Sequence, residues 1–149
     1  MIKFFCDRNV YRLAKHLRFA GFDTMTREEL SMMKIDSLCV KDRRVFITRN
    51  KHLRGFTAKA IVLDSICVYE QIKAVLERYE VNKELISTRC IRCNVKLKVS
   101  RNEHNSTTPY PSSLEGNCKT KKYCSRCGRL YWQGTHYFDM LKKITFDIK

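Results

Sequence analysis

The stretch RVFIT, residues 44–48, is a short apolar run that ends in the polar residues Arg49 and Asn50. Such a run is typical of a strand that is buried on both faces of a parallel sheet. IKFFC (2–6) and AIVLD (60–64) show the same pattern, and helical spacing of apolar residues appears in VYRLAKHLRFAG (10–21) and YEQIKAVLERYE (69–80). This alternation predicts a small α/β domain whose largely parallel sheet is flanked by helices.

The chain changes in character near residue 86. We expect an α/β domain over 1–85, in which the segment 27–43 adds one or two less regular helical turns. From 86 to 149 the sequence has two CxxC pairs, a long polar segment (100–117) and a final amphipathic stretch. That pattern predicts a zinc ribbon with a long polar loop and a C-terminal helix, whose apolar face contains Tyr137, Met140, Leu141 and Ile144.

The two CxxC pairs are the most specific motif of the chain. Each pair places two thiols two residues apart and is followed by Asn or Gly, the residue types that best tolerate a left-handed turn. Two such knuckles can direct four thiolates at one tetrahedral Zn²⁺ with no open position for water, so we expect a structural zinc. The ligands are Cys90, Cys93, Cys124 and Cys127.

The other cysteines are expected to have no catalytic role. Cys118 lies close enough in sequence to replace a ligand, but it has no partner two residues away. Cys6, Cys39 and Cys67 lie in or beside apolar segments, which favours core positions.

The net charge of +15 predicts a polyanionic partner. Residues 1–85 carry 17 basic and 11 acidic side chains, and residues 86–149 carry 13 and 4. We found no signal peptide, no span of membrane length and no basic amphipathic helix with an apolar face suited to a lipid surface. The expected partner is RNA, above all ribosomal RNA and the ribosome, with no membrane and no small-molecule substrate. The expected location is the cytoplasm, with the nucleus or nucleolus as alternatives.

Polar residues lie near the predicted strand ends. Asp7 follows the first apolar run, and Asp36 lies in the segment 27–43. Asn50 follows the run 44–48, and Asp64 ends the run 60–64. Carboxylates gathered at one sheet edge could hold Mg²⁺ or Mn²⁺ and activate water against a phosphodiester. The alternative, which the residues alone favour, is that Asp7 or Asn9 caps a helix and the others begin helices or turns.

Four blocks of the chain together resemble a known family. They are CDRNVYRLAKHLRFAGFDT (6–24), RVFITRN (44–50), TRCIRCN (88–94) and CSRCGRLYWQGTHYFDML (124–141). They are similar to the ribonuclease-like carboxyl-terminal family of the Mut-seven exonucleases, a PIN-like domain joined to a zinc ribbon. The resemblance implies metal-dependent RNA cleavage with a catalytic role for Asp7, Asp36 and Asp64, and zinc on the knuckle cysteines.

Asn50 departs from that family pattern. The family has Asp where this chain has Asn50, and a hard divalent ion loses a charged oxygen ligand by that change. We therefore expect a degenerate nuclease site and favour a non-catalytic protein. The architecture is also similar to that of the endonuclease that matures small-subunit ribosomal RNA, which favours a role in ribosome assembly or dormancy (hibernation).

Basic residues on three segments are expected to contact phosphates. They are Arg8, Arg12, Lys15 and Arg18 on the first helix, Arg49 and Lys51 after the strand 44–48, and Arg92, Lys96, Lys98, Lys121, Lys122, Arg126 and Arg129 in the ribbon. Tyr123, Tyr131 and Trp132 could stack on bases, but packing of the ribbon is favoured. The alternatives to this RNA-binding hypothesis are an active Mg²⁺- or Mn²⁺-dependent ribonuclease and a protein interaction module.

Overall fold

The computed structural model describes residues 1–27, 29–100 and 121–145. The first half of the chain alternates strands and helices, in the order β1 (Lys3–Cys6), α1 (Tyr11–Phe19), β2 (Asp23–Met25), α2 (Met32–Asp42), β3 (Arg44–Thr48), β4 (Ala60–Val62) and α3 (Val68–Leu76). The second half contains β5 (Lys98–Ser100), β6 (Lys121–Tyr123), β7 (Leu130–Tyr131) and α4 (Thr135–Ile144). The predicted fold class is confirmed.

The first four strands form one parallel sheet in the order β2-β1-β3-β4. Its register pairs Lys3 with both Asp23 and Arg44, so β1 lies between β2 and β3. The strand order reverses at β1, because β2 is added on one side of it and β3 on the other. In open α/β sheets a reversal of this kind opens a crevice at the carboxyl ends of the strands beside it. Here these strands are β1 and β3, which are followed by Asp7 and Arg49.

Helices cover both faces of the sheet because the strands are apolar on both. Phe4, Cys6, Val45 and Ile47 pack in a core that includes residues of α1, α3 and α4. Phe5 and Phe46 point to the other face and pack with Ile35 and Cys39 of α2. All five residues of β3 are buried, as its unbroken apolar run predicts.

The strand β2 was not predicted from the sequence. The residues Asp23, Thr24 and Met25 form no apolar run, and their strand exists because they pair in register with Lys3, Phe4 and Phe5. A side-chain network also holds this edge: Arg44 donates to Asp23 at 2.8 Å. Tertiary pairing therefore supplies what local sequence preference does not.

The second half forms a three-stranded antiparallel sheet, β5-β6-β7. The first cysteine knuckle precedes β5 in sequence, and the second connects β6 to β7. In the first knuckle the amide of Asn94 donates to the carbonyl of Cys90, and in the second that of Gly128 donates to Cys124, both at 2.9 Å. Asn94 has φ 63° and Gly128 has φ 69°. The predicted left-handed turns are confirmed.

The first knuckle and the last helix both contact the α/β core. Arg18 of α1 donates to the carbonyls of Ile91 and Arg92 at 3.0 Å. Met140 and Ile144 of α4 are buried in the core that contains α1 and α3, and this confirms the predicted apolar face of that helix. The division of the chain at residue 85 stays a prediction.

The cysteines outside the knuckles behave in two ways. Cys6 and Cys39 are buried in the core, as predicted. Cys67 is exposed, so its predicted core position is wrong. Cys67 lies directly before the first residue of α3 and has an extended backbone, so it is not part of the apolar face of that helix.

No helix in the described ranges is both long enough and apolar enough to cross a bilayer.

Candidate metal centre and RNA-binding surface

The four knuckle cysteines converge. The Sγ atoms of Cys90, Cys93, Cys124 and Cys127 all lie within 4.8 Å of one another, so these residues could hold a metal ion. Cys90 Sγ and Cys127 Sγ are 3.8 Å apart. Tetrahedral zinc with Zn–S bonds of about 2.3 Å separates its sulfur ligands by about 3.8 Å, so the spacing suits zinc.

The environment of Cys90 favours a thiolate. Burial raises the pKa of its thiol, but hydrogen bonds from the Tyr131 hydroxyl, at 3.0 Å, and from the Cys93 amide, at 3.2 Å, outweigh that effect and lower the pKa to about 7. Burial and the neighbouring sulfurs raise the pKa values of Cys93 and Cys124. Crowded thiolates repel one another, and a divalent cation would remove that repulsion.

Tyr131 is tied to the metal centre through its hydroxyl. Burial and the adjacent Cys90 raise the pKa of this phenol, so it stays a neutral hydrogen-bond donor at the sulfur. Hydrogen bonds of this kind orient metal ligands from outside the coordination sphere.

Cys118 and all but the first residue of the polar segment 100–117 lie outside the described residues.

Asp7 is held in a hydrogen-bond network at the carboxyl ends of β1 and β3. Its Oδ1 accepts from the amide of Arg8 at 2.7 Å, and its Oδ2 accepts from Thr48 Oγ1 at 2.7 Å and from Asn9 Nδ2 at 2.9 Å. It also caps the 3₁₀ turn that starts at Arg8. Both oxygens of the first candidate ligand are therefore engaged within the protein.

Asn50 takes part in the same network through Thr48. Its amide donates to Thr48 Oγ1 at 3.0 Å, and its side-chain Oδ1 accepts from the amide of His52 at 2.9 Å. The side-chain oxygen of Asn50 therefore stabilises a local turn.

Asp36 holds a loop. Its Oδ1 accepts from the amides of Thr57 and Ala58 at 2.9 and 2.8 Å, and its Oδ2 accepts from Thr57 Oγ1 at 2.8 Å. The hydrogen bond from Ala58 and those from Thr57 lower the pKa of this carboxyl. Asp36 thus ties α2 to the segment between β3 and β4.

Asp64 forms a surface ion pair. Its Oδ1 lies 2.8 Å from Lys51 Nζ, and both side chains are more than 70% exposed. This contact lowers the pKa of Asp64 and raises that of Lys51. Among the residues that the structure describes, the cysteines are the only group of three or more His, Cys, Asp or Glu side chains with the spacing of a metal site.

Arg18 was predicted to be exposed together with the other basic residues of the first helix, but the structure buries it. The residue is 7% exposed, and its guanidinium donates to Thr24 O at 2.8 Å and to Thr26 Oγ1 at 3.0 Å as well as to the first knuckle. The prediction assumed one polar face along α1, but Arg18 lies where the ribbon packs on that helix. It is a structural link between α1, β2 and the knuckle.

The remaining predicted cations differ in exposure and partners. Lys122 donates to the carbonyl of Ser87 at 3.0 Å. Arg49 is half-buried, and its Nε is buried without a hydrogen-bond partner among the described atoms. Lys15, Lys121 and Arg129 are partly exposed, and the fully exposed residues are Arg8, Arg12, Lys51, Arg92, Lys96, Lys98 and Arg126.

The fold joins cations from both halves of the chain in one recess. This basic recess, a cavity of about 470 Å³, is lined by Tyr11, Lys15, Arg18, Thr26, Ile91, Arg92 and Arg129. Tyr11 was not among the predicted binding residues, although it directly precedes Arg12. Its ring lies under Lys15, whose Nζ is 4.9 Å from the ring centre and 3.2 Å from the hydroxyl. Within the described ranges, no acidic residue lines this recess.

A second cavity lies between the ribbon and α4. It measures about 390 Å³, and its aromatic side chains are Phe19, Tyr131, Trp132, His136 and Tyr137. Ile91 and Arg129 line both this aromatic cavity and the basic recess, so the two adjoin. The sequence indicated Tyr131 and Trp132 as packing residues but did not indicate that they enclose a space with α4.

The family comparison covers almost the whole chain. The family model of the Mut7-C RNAse domain matches residues 2–144. No curated protein and no solved structure matches the chain. The parallel sheet, the paired knuckles and the terminal helix all lie within the matched region. A family of RNase domains implies an RNA-related function and RNA binding. The chain belongs to the Mut7-C RNAse domain family.

Proposed function

We propose that this protein is an RNA-binding factor that does not cleave RNA, and that its partner is ribosomal RNA on the ribosome. The observation that carries the proposal is the state of the acidic residues. Asp7, Asp36 and Asp64 are each engaged in separate contacts, and the fourth position of the site is Asn50. A two-metal or one-metal hydrolytic site needs carboxylates that share an ion.

The residues present do not fit Mg²⁺ or Mn²⁺ at the strand ends. At Asp7 a cation would have to share Oδ2 with the Thr48 hydroxyl and the Asn9 amide, which already donate to it. It would gain no second carboxylate in return, since Asp36 is held by Thr57 and Ala58. The protein therefore keeps the fold of its family while its acidic residues serve the structure.

The knuckle cysteines do fit Zn²⁺. Cys90, Cys93, Cys124 and Cys127 would fill a tetrahedral coordination sphere, and such a closed site stabilises a fold without taking part in a reaction. Zinc would fix the ribbon against α1, because the Arg18 guanidinium donates to carbonyls within the first knuckle. The zinc site thus positions the cations of the basic recess.

The charge distribution supports RNA as the ligand. The chain carries a net charge of +15, and the basic recess combines Lys15, Arg92 and Arg129 with no acidic neighbour among its lining residues. Folded ribosomal RNA offers the phosphate density that such a surface recognises. A role in ribosome assembly or in dormancy (hibernation) is consistent with a binding protein that has no reaction to perform.

The test is binding to purified ribosomal RNA and to intact ribosomes as a function of salt. Each neutralised phosphate contributes about 0.7–0.9 to the slope of log K against log salt, so three or more contacts give a slope of about −2 or steeper. Arg92→Ala and Arg129→Ala should each lower affinity, and Lys34→Ala on the exposed surface of α2 is the matched control. A flat salt response or no association with ribosomes would overturn the proposal.

An active ribonuclease is the second candidate, and family membership is the observation that favours it. In that case Asp7, Asp36 and Asp64 would have to come together and bind Mg²⁺ or Mn²⁺ jointly. Cleavage that requires Asp7 would support this candidate over the first.

A further inference from the structure

We infer that the aromatic cavity between β7 and α4 is a binding site for one unpaired RNA base, and that the adjoining basic recess holds the phosphate next to that base. The inference rests on the proposed RNA-binding function and specifies where a single-stranded segment would bind. Its volume of about 390 Å³ lies within the range of about 300–1,000 Å³ that is usual for small-ligand sites.

The walls of the cavity have the chemistry of a base-stacking site. Tyr131, Trp132 and Tyr137 line it, and flat aromatic rings are the groups on which proteins stack unpaired bases. His136 and Thr135 add polar groups at the start of α4. Among the residues that the structure describes, no acidic side chain lines the cavity, so none of these would repel the phosphates that accompany a base.

The aromatic walls are held in place before any ligand binds. Tyr131 is fixed at its hydroxyl by Cys90 Sγ, at 3.0 Å, and Tyr137 packs edge-on against Phe19 with ring centres 5.4 Å apart. Rings that are ordered in advance lose less conformational entropy when a ligand binds. The metal centre therefore supports one wall of the site and the α/β core supports another.

Arg129 connects the cavity to the cations. It lines both spaces, together with Ile91, while Lys15 and Arg92 line only the basic recess. A nucleotide whose base entered the aromatic cavity would place its phosphate at Arg129, with Lys15 and Arg92 available for the next phosphate along the strand. The juxtaposition of a stacking site and a cationic groove is what single-stranded nucleic acid requires.

Gly134 gives a substitution that alters the cavity at one wall. A Cβ atom at this position would lie 2.7 Å from Trp132 Nε1 and 3.1 Å from Trp132 Cδ1, so Gly134→Ala would push the indole from its place. The backbone of Gly134 has φ −110°, which alanine adopts without strain. Gln133→Ala, at the exposed neighbouring residue, is the matched control because Gln133 does not line the cavity.

The experiment uses the full chain and the fluorescence of Trp132, the only tryptophan in the sequence. Three probes are titrated: a ten-residue oligouridylate, a base-free ribose-phosphate oligomer of equal length, and polyglutamate. The site predicts quenching of Trp132 by the oligouridylate alone. It also predicts that Gly134→Ala lowers oligouridylate affinity roughly 5- to 100-fold, the range expected for the loss of one stacked base, and leaves base-free binding unchanged.

A second variant keeps the test decisive if alanine at 134 disturbs the fold. Trp132→Leu removes the stacking surface but keeps an apolar side chain, and its affinity is measured by anisotropy of a labelled oligouridylate. Equal affinity of the wild type for the two oligomers, or unchanged affinity in both variants, would overturn the base site and leave RNA binding intact. Polyglutamate that quenches as RNA does would assign the cavity to an acidic polypeptide instead. Failure of the wild type to bind any RNA would overturn both this inference and the proposed function.

Discussion

Two sets of potential metal ligands lie in this chain, and the fold treats them in opposite ways. The four knuckle cysteines meet with all their sulfurs within 4.8 Å of one another. The candidate acidic ligands instead make separate contacts, with Asp36 hydrogen-bonded to the backbone of Thr57 and Ala58, and Asp64 paired with Lys51. In this fold the cysteines are therefore placed so that they could hold one metal ion, whereas the acidic residues make separate contacts within the protein.

The cause of the difference lies in how many ligands each local motif supplies. A CxxC knuckle brings two ligands together within four residues, so only one tertiary contact, that between the two knuckles, completes the site. Each acidic residue supplies one ligand, so several separate segments must bring their side chains together before a cation can be bound.

The largest expected effect is the loss of a knuckle cysteine. Cys90→Ser should abolish zinc binding and unfold the ribbon, since zinc contributes on the order of 10 kcal/mol to the folding of small zinc domains. We expect the melting temperature to fall by more than about 10 °C, measured by circular dichroism beside the zinc content of the purified protein.

Cys67→Ser is the matched control for that change. Cys67 is an exposed thiol outside the knuckles, and its substitution should alter neither zinc content nor melting temperature. If Cys90→Ser kept one equivalent of zinc and full stability, the cysteine cluster would not be a structural metal site.

Arg18→Ala is expected to have the next largest effect. The buried guanidinium donates to carbonyls of Thr24, Ile91 and Arg92, and its removal leaves these acceptors without their donor. The free energy of unfolding should fall by about 2–4 kcal/mol, measured by urea denaturation.

Arg12→Ala tests whether the loss of stability in Arg18→Ala depends on the burial of the side chain or only on its position on α1. Arg12 is exposed on the same helix, so its loss should change stability by less than about 0.5 kcal/mol. Equal stability effects at the two positions would mean that Arg18 does not link the helix to the knuckle.

Asp36→Asn should have a smaller effect, which depends on pH. Hydrogen bonds to the ionised carboxylate lower the pKa of Asp36, so its contribution to stability is complete above the unfolded value of 3.8 and is lost as the pH falls through the lower folded value. The variant should be less stable than the wild type at pH 7, and the difference should shrink in acid below pH 3.8.

Asp64→Asn is the comparison for that acid-dependent effect. Its ion pair with Lys51 lies in solvent, so the change should leave the urea midpoint at pH 7 unaltered. An equal loss of stability in Asp36→Asn and Asp64→Asn would show that the hydrogen bonds between Asp36 and the loop stabilise the protein no more than the exposed Asp64–Lys51 ion pair does.

Asn50→Asp is expected to have the smallest effect. Aspartate can still accept a hydrogen bond from the His52 amide, so the turn should be kept and the urea midpoint should not change. Because Asp36 and Asp64 remain engaged elsewhere, calorimetry should detect no tight Mn²⁺ site. Mn²⁺ binding gained through this one change would mean that the acidic residues rearrange readily.

Local patterns predicted the parts of the fold that short segments determine. The buried strand 44–48, the left-handed turns at Asn94 and Gly128, and the apolar face of α4 were all predicted from residue type and spacing. The strand at 23–25 was missed because it depends on pairing with β1 rather than on its own residues.

Contacts between segments that are distant in sequence could not be predicted from residue type and spacing. Residue type alone groups Arg18 with the other basic residues of the first helix, and only the packing of the first knuckle on α1 explains its burial. The aromatic cavity likewise needs β7 and α4 to be brought together, although Tyr131, Trp132 and Tyr137 lie within seven residues. Helical and strand periodicity describes one element at a time, and both features arise between elements.

The central claim is that this RNase-family chain binds RNA and does not cut it. The most direct measurement is an assay of the purified protein on labelled ribosomal RNA with Mn²⁺, in which binding and cleavage are recorded on the same samples beside Asp7→Asn. We predict salt-dependent binding and no cleavage above background in either protein. Cleavage by the wild type that disappears in Asp7→Asn would contradict the account and establish a working metal site at the strand ends.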